Sequence, residues 1–135
     1  CMDRKKPYSI ELQKIGEPAD GYISVAEKDS LPFAPKRIYW TYYTPENVER
    51  GRHAHYELEQ IMVAVAGKII VKTEMPGGYK DTFVLDSPDI GLVLPEMCWH
   101  TMTYSTNAVQ LCIASMEYNE DDYIREYEIF KNQNR

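Results

Sequence analysis

From Gly21 onward the chain is a succession of short segments rich in β-branched and aromatic residues, each closed by Pro, Gly, Asn or Asp. That punctuation limits the folds open to it. The segments run Tyr22 to Glu27, Arg37 to Tyr43, His53 to Ala66, Lys68 to Glu74, Asp81 to Asp86, Asp89 to Pro95, Trp99 to Ser105 and Ala108 to Met116. Eight strands are too many for one flat layer in 135 residues, and no helical stretch between them can serve as a parallel crossover. Antiparallel pairing in a β-sandwich or small barrel follows. Pro76-Gly77-Gly78 and Ser87-Pro88-Asp89 mark hairpin turns. The tail reads as helix over about 120–132: Tyr123, Ile124, Tyr127 and Phe130 recur at helical spacing, and the acids before them suit the positive end of a helix dipole. The prediction is an all-β jelly-roll with a short C-terminal helix, one domain over residues 1–135 with its core at about 21–116.

Charge narrows the partners. Fifteen Lys and Arg against 21 Asp and Glu leave a net charge of −6, with no basic stripe to neutralise a phosphate lattice. Nucleic acid and anionic membranes are therefore not expected partners. No apolar run is long enough to span a bilayer, and no apolar stretch follows the basic residues of CMDRKKPYSIEL, so the expected location is cytoplasmic. Cys1, Cys98 and Cys112 lack the spacing of a disulfide framework or zinc site, and reduced thiols are expected. Cys1 stands before Met2, the expected natural start. A single small anion needs only one or two arginines, and these occur at Arg37, Arg50 and Arg52.

The chemistry is expected where the three histidines are. His53 and His55 are two apart, so in an extended chain both rings point to one face, and Glu59 shares that parity. His100, beside Trp99 and after Pro95 on a later strand, can reach the same cavity across the sheet. A lone histidine is most often a hydrogen-bonded core residue, but several ionisable groups in one apolar interior cost several kcal/mol of desolvation that function usually explains. The residues alone leave two chemistries open. His53, His55, Glu59 and His100 form a ligand set for a divalent ion, as in a dioxygenase; equally, the histidines can act as acid and base without metal. A non-catalytic sugar-binding protein is the third reading.

The spacing H-x-H-x-x-x-E followed by P-x-x-x-W-H resembles the two motifs of the cupin superfamily, whose fold is a jelly-roll antiparallel β-barrel. A longer set of residues is more specific: Arg50-Gly51-Arg52-His53-Ala54-His55 with Leu58-Glu59-Gln60, then Leu85 to Met102, Ile113 to Ser115, and Asp121 to Phe130. From about Gly21 to Phe130 the chain resembles the sugar 3,4-ketoisomerases of the WxcM-like cupin family. The resemblance implies a metal-free enzyme with no cofactor, usually a homodimer with exchanged N-terminal strands, acting on dTDP-4-keto-6-deoxyglucose in deoxy-aminosugar biosynthesis. Two departures are visible: Arg52 stands where relatives often carry an aromatic residue, and Ala19-Asp20 precede Gly21 where many have arginine.

Moving a carbonyl from C4 to C3 needs proton transfers through an enediolate, which suits imidazoles titrating near neutrality. His53 and His55 are the expected acid/base pair, with Tyr39 or His100 as donors to the enediolate oxygens. Arg37 and Arg50 are the expected diphosphate ligands, with Arg52, Glu59 and Trp99 also at the substrate site. Tyr42 and Tyr43 are stacking candidates set against a plain packing role, and Met97, Cys98 and Met102 read as core.

Overall fold

The computed structural model describes residues 5–133; the expectation about Cys1 lies outside them. The apolar segments fold as strands: β1 (Tyr8–Glu11), β2 (Gln13–Glu17), β3 (Gly21–Val25), β4 (Arg37–Tyr42), β5 (Arg50–His55), β6 (Gln60–Ala66), β7 (Ile69–Glu74), β8 (Lys80–Leu85), β9 (Ile90–Leu94), β10 (Trp99–Tyr104), β11 (Val109–Ala114) and β12 (Tyr123–Ile124), followed by helix α1 (Tyr127–Asn132). Two five-stranded antiparallel sheets result, ordered β1-β9-β6-β11-β4 and β12-β5-β10-β7-β8. Strands β2 and β3 form a separate hairpin.

Side-chain alternation sorts residues into three apolar layers. Met62, Leu92 and Cys112 of the first sheet meet Ile69, Val71, Leu85 and Met102 of the second, so the sheets face one another as a jelly-roll. The outer face of the first sheet buries Ile61, Val63, Val93 and Ile113 under Leu12, with Ile10, Leu31 and Phe33 packed alongside. The outer face of the second buries Ala54 and Met97 against Ile124 and Phe130, with Trp99 and Tyr127 at the margin.

Three segments differ from the sequence expectation. His53 to Ala66 is two strands, because the chain leaves one sheet and crosses to the other through Tyr56–Glu59. No Gly, Pro, Asn or Asp marks that turn. Its amides are satisfied from far along the chain: the Asp122 carboxylate accepts from the N–H of Glu57 (2.9 Å) and Leu58 (3.1 Å), and Ser115 Oγ accepts from Glu59 N–H (2.9 Å). The helix expected over 120–132 is confined to Tyr127–Asn132. Before it, Tyr123 and Ile124 fill the open edge of β5, Tyr123 opposite His55 and Ile124 opposite Ala54. The apolar spacing is real, since Ile124, Tyr127 and Phe130 share one cluster, but the backbone reaches it as strand then helix. Strands β1 and β2 precede the expected core, and β2 is exposed along its whole length, so burial leaves no pattern to read there.

Candidate active site

Strand β5 carries two of the three histidines, and a backbone irregularity aims them. In pairing with β10, His53 lies opposite His100 but Gly51 opposite Thr101, so Arg52 is an extra residue bulged from the ladder. Gly51 at φ +92° and Arg52 at φ +60° make the kink. A Cβ on Gly51 would sit 2.7 Å from the His100 carbonyl oxygen, which explains glycine at that position. Beyond the bulge, regular alternation sends His53 and His55 inward and Ala54 outward to the cluster under α1.

The three imidazoles converge. Ring centroids of His53 and His55 are 5.0 Å apart, those of His53 and His100 4.7 Å, and those of His55 and His100 6.5 Å. The Tyr123 ring closes the group from β12, 4.4 Å from His55 and 5.1 Å from His53. His55 and His100 are buried; His53 is half-buried.

Hydrogen bonds assign the tautomers, because a carbonyl oxygen only accepts. His53 Nδ1 lies 3.1 Å from Gly51 O, so the proton sits there and Nε2 keeps its lone pair. His100 Nδ1 donates to Cys98 O (3.0 Å), and its Nε2 faces Gln60 Nε2 at 3.4 Å. Gln60 Oε1 in turn accepts from Tyr39 Oη (3.1 Å). Both nitrogens of His100 are thus engaged. His55 Nδ1 lies 3.3 Å from Asp122 Oδ2, within ion-pair distance but without hydrogen-bond alignment.

Burial keeps these rings neutral. It is the first cause of lowering in all three: His53 goes down, His55 to about 2 and His100 to about 3. For His55 the neighbouring His53 and His100, then Arg37 and Arg125, pull the same way. The Asp122 carboxylate works against that pull, and the direction downward stands on the near-complete burial of the ring. A neutral imidazole with a free Nε2, as in His53, is able to take a proton. Burial, then Cys112, pushes the Tyr39 phenol above its ordinary value, so it stays a donor.

The other expected site residues divide. Arg37 faces inward on β4, its guanidinium carbon 5.0 Å from the Tyr39 ring centroid and 5.8 Å from that of Tyr118, with Nε buried and unpaired. Arg50 opposes Met102 at the start of β5, exposed to solvent. Arg52, thrown out by the bulge, is two-thirds exposed and pairs with Glu49 at 3.1 Å. Glu59 does not share the histidine face, because the turn at Tyr56–Glu59 ends its parity with β5; its carboxylate lies 3.9 Å from Lys5 Nζ. Among the described residues no three His, Cys, Asp or Glu side chains are arranged to hold a metal ion. Trp99 does not wall the histidine cluster. It points to the opposite side of β10 from His100, with ring centroids 5.3 Å from Tyr127 and 5.6 Å from Phe130.

Three residues at the cluster escape the sequence reading: Gln60, Asp122 and Tyr123. The last two sit in the tail segment whose acids and aromatics read as helix start and core stripe. Tyr118 and Arg125 both bind Glu120 at the same edge, and Arg125 stacks 4.1 Å over the Tyr123 ring.

Comparison with known proteins places this arrangement. The model of the FdtA family, described as WxcM-like, C-terminal, matches residues 5–135. The TDP-4-oxo-6-deoxy-alpha-D-glucose-3,4-oxoisomerase of Aneurinibacillus thermoaerophilus is 36% identical over 123 residues, covering 90% of this chain and 88% of its own. A 3,4-ketoisomerase from Helicobacter canadensis superposes with a TM-score of 0.90 at 31% identity, over 96% of this chain and 98% of that one. The sugar 3,4-ketoisomerase QdtA from Thermoanaerobacterium thermosaccharolyticum, solved in complex with TDP, superposes with a TM-score of 0.90 at 26% identity, over 95% and 93%.

Proposed function

Since the chain belongs to the FdtA family of WxcM-like proteins, we propose that its histidine cluster is where a TDP-linked 4-keto-6-deoxyhexose has its carbonyl moved between C4 and C3. The protein is accordingly a sugar-nucleotide 3,4-ketoisomerase. One observation carries the assignment of the chemistry: two neutral imidazoles stand 5.0 Å apart on one strand, one with Nε2 freed by a carbonyl bond at Nδ1 and the other with Nδ1 turned to a carboxylate.

The reaction is an internal exchange of two protons. A base takes the proton from C3, the electron pair forms the C3–C4 double bond, and O4 becomes the enediolate oxygen. O4 then gains a proton, O3 loses one to become the carbonyl, and C4 is reprotonated. Adjacent carbons and their oxygens span a few ångströms, which two rings at this separation can serve together. His53 and His55 fill these acid/base roles. Tyr39 reaches the developing oxyanion from β4 when its one O–H swings to the substrate from Gln60, which accepts it in the free protein and faces His100. Arg37 binds the diphosphate: a buried guanidinium nitrogen with no hydrogen-bond partner among the described residues is suited to a charged oxygen from outside. Arg50 is the second diphosphate ligand, from the exposed start of the same strand as the histidines.

We assign a second copy of the chain as partner. Exposed Ile38, Trp40 and Tyr42 on edge strand β4, with Val65 on β6, give the outer face of the first sheet an apolar surface suited to one. Free Cys98 and Cys112 are in keeping with the cytoplasm, and among the described residues no helix is long and apolar enough to cross a membrane.

The test is incubation with dTDP-4-keto-6-deoxyglucose in deuterium oxide, following the carbon-13 carbonyl signal and deuterium at C3. Transfer of the carbonyl from C4 to C3 is expected, with exchange lost in His53→Asn or His55→Asn while TDP binding persists. Undiminished turnover in both variants refutes the assignment.

A further inference from the structure

Asp122 is a carboxylate in an expensive place. Its side chain is 5% exposed, as is that of His55, and no lysine or arginine among the described residues lies within ion-pair distance of it. Its oxygens accept from the N–H groups of Glu57 and Leu58, and its carbonyl accepts from Tyr56 N–H at 3.0 Å. Each oxygen caps one amide, Oδ1 that of Glu57 and Oδ2 that of Leu58. A full negative charge at that depth costs several kcal/mol and calls for a further partner. The one cation-forming side chain in reach is His55, whose Nδ1 stands 3.3 Å from Oδ2.

We propose that Asp122 is the positioning residue of His55: its carboxylate holds the proton on Nδ1, turns the bare Nε2 to the substrate, and stabilises the imidazolium that forms when His55 takes a proton. The inference rests on His55 being one of the two acid/base groups. The geometry is built into the fold, since the turn capped by Asp122 begins directly after His55, and β12, which follows Asp122, pairs residue for residue with β5. The alignment is loose here and tightens once His55 is charged, as such contacts commonly do in substrate complexes. The other groups around His55 offer no rival counter-charge. His53 and His100 are neutral, Tyr123 contributes its ring face, and Arg37 and Arg125 are cations that oppose protonation.

Asp122→Asn keeps one of the two acceptor oxygens and removes the charge. The expected result is a kcat lower by on the order of 10²-fold, with KM and TDP affinity within about threefold. The acid limb of the kcat pH profile, which reports His55 in the substrate complex, shifts to lower pH, because the imidazolium has lost its counter-charge. In a His55→Asn background the same change adds less than about twofold to the loss, as expected for residues acting as one unit. Equal losses in both backgrounds, kcat and KM moving together with an unmoved pH profile, or an unchanged kcat each overturn the proposal. Nitrogen-15 spectra of the imidazoles in the unaltered protein decide it even where the variant does not fold: the proton is expected on His55 Nδ1, and a proton on Nε2 sinks the idea. Failure of the acid/base reading shows separately, as full turnover in His55→Asn.

Discussion

A methyl group added at Gly51 has nowhere to go. The residue sits at φ +92°, where an L side chain costs about 1–2 kcal/mol, and the new Cβ would lie 2.7 Å from the His100 carbonyl oxygen and 3.2 Å from Thr101 Cα. Both neighbours are backbone of a paired strand, so the strain cannot be relieved by a rotamer change. Overpacking of this kind adds about 1–3 kcal/mol, making the whole loss about 2–5 kcal/mol for Gly51→Ala. Gly21 supplies the control: it has nearly the same φ, +90°, but a methyl there would meet nothing within 4 Å, so Gly21→Ala should cost only the conformational part. Urea unfolding of the two variants isolates the clash, and Gly51→Ala should have the lower midpoint by about 1 M, given slopes of about 1–3 kcal/mol per molar. Activity should fall further than stability suggests. Gly51 O holds His53 Nδ1 and the clash is with His100 itself, so any relief moves two of the three rings, and displacement by about 1 Å can cost 10²-fold in rate. Equal midpoints for the two variants would mean that the bulge is pliable, and the reasoning that it aims the histidines would fail.

Burial also sets a pH dependence. With His53, His55 and His100 all lowered, the unfolded chain binds more protons than the native one below the ordinary imidazole value of about 6.5. Stability therefore falls as pH falls from there towards the native values of about 2 and about 3, by about 1.4 kcal/mol per pH unit for each deeply buried ring; a urea midpoint that stays level from pH 7.5 to 5 contradicts this. Trp99→Ala should lower unfolding free energy by about 3 kcal/mol and leave TDP affinity within twofold, because the ring packs on Tyr127 and Phe130; a tenfold loss of affinity by calorimetry would return Trp99 to the substrate site.

What can be read in advance is whatever the local pattern encodes. Alternation of β-branched and polar residues marks the strands from β3 to β11, and His53-Ala54-His55 fixes two rings on one face without any tertiary knowledge. Parity carries only as far as the strand does. A period-two count puts Glu59 on the histidine face because nothing in Tyr56-Glu57-Leu58-Glu59 signals a turn, and the donors that make one possible are answered by Asp122 and Ser115, more than fifty positions away. Trp99 shows the complementary limit. Adjacency to His100 suggests a shared cavity, whereas strand geometry sends neighbours to opposite faces, the same rule that turns Ala54 away from His53 and His55. For Arg52 the bulge decides: an extra residue is invisible to a period-two count, and Gly51 is the one hint of it.

The tail links these misreadings. A helix over 120–132 would have pointed Tyr123 and Ile124 towards the same stripe and left β5 with an unpaired edge. Two residues of strand satisfy that edge, and in doing so they separate the two side chains: Ile124 joins Ala54 and Phe130 outside, while Tyr123 turns in against His53 and His55. The same register sets Asp122 beside the turn after His55, where it satisfies amides that no nearby residue could. Fold and chemistry therefore draw on one set of contacts. A change in the tail that loosened β12 would unpair β5, uncap the turn and release His55 together, so stability and turnover should be lost in concert for mutations there, in contrast to the outer face of β4, where the exposed Trp40 and Tyr42 take part in none of the hydrogen bonds that hold the three rings.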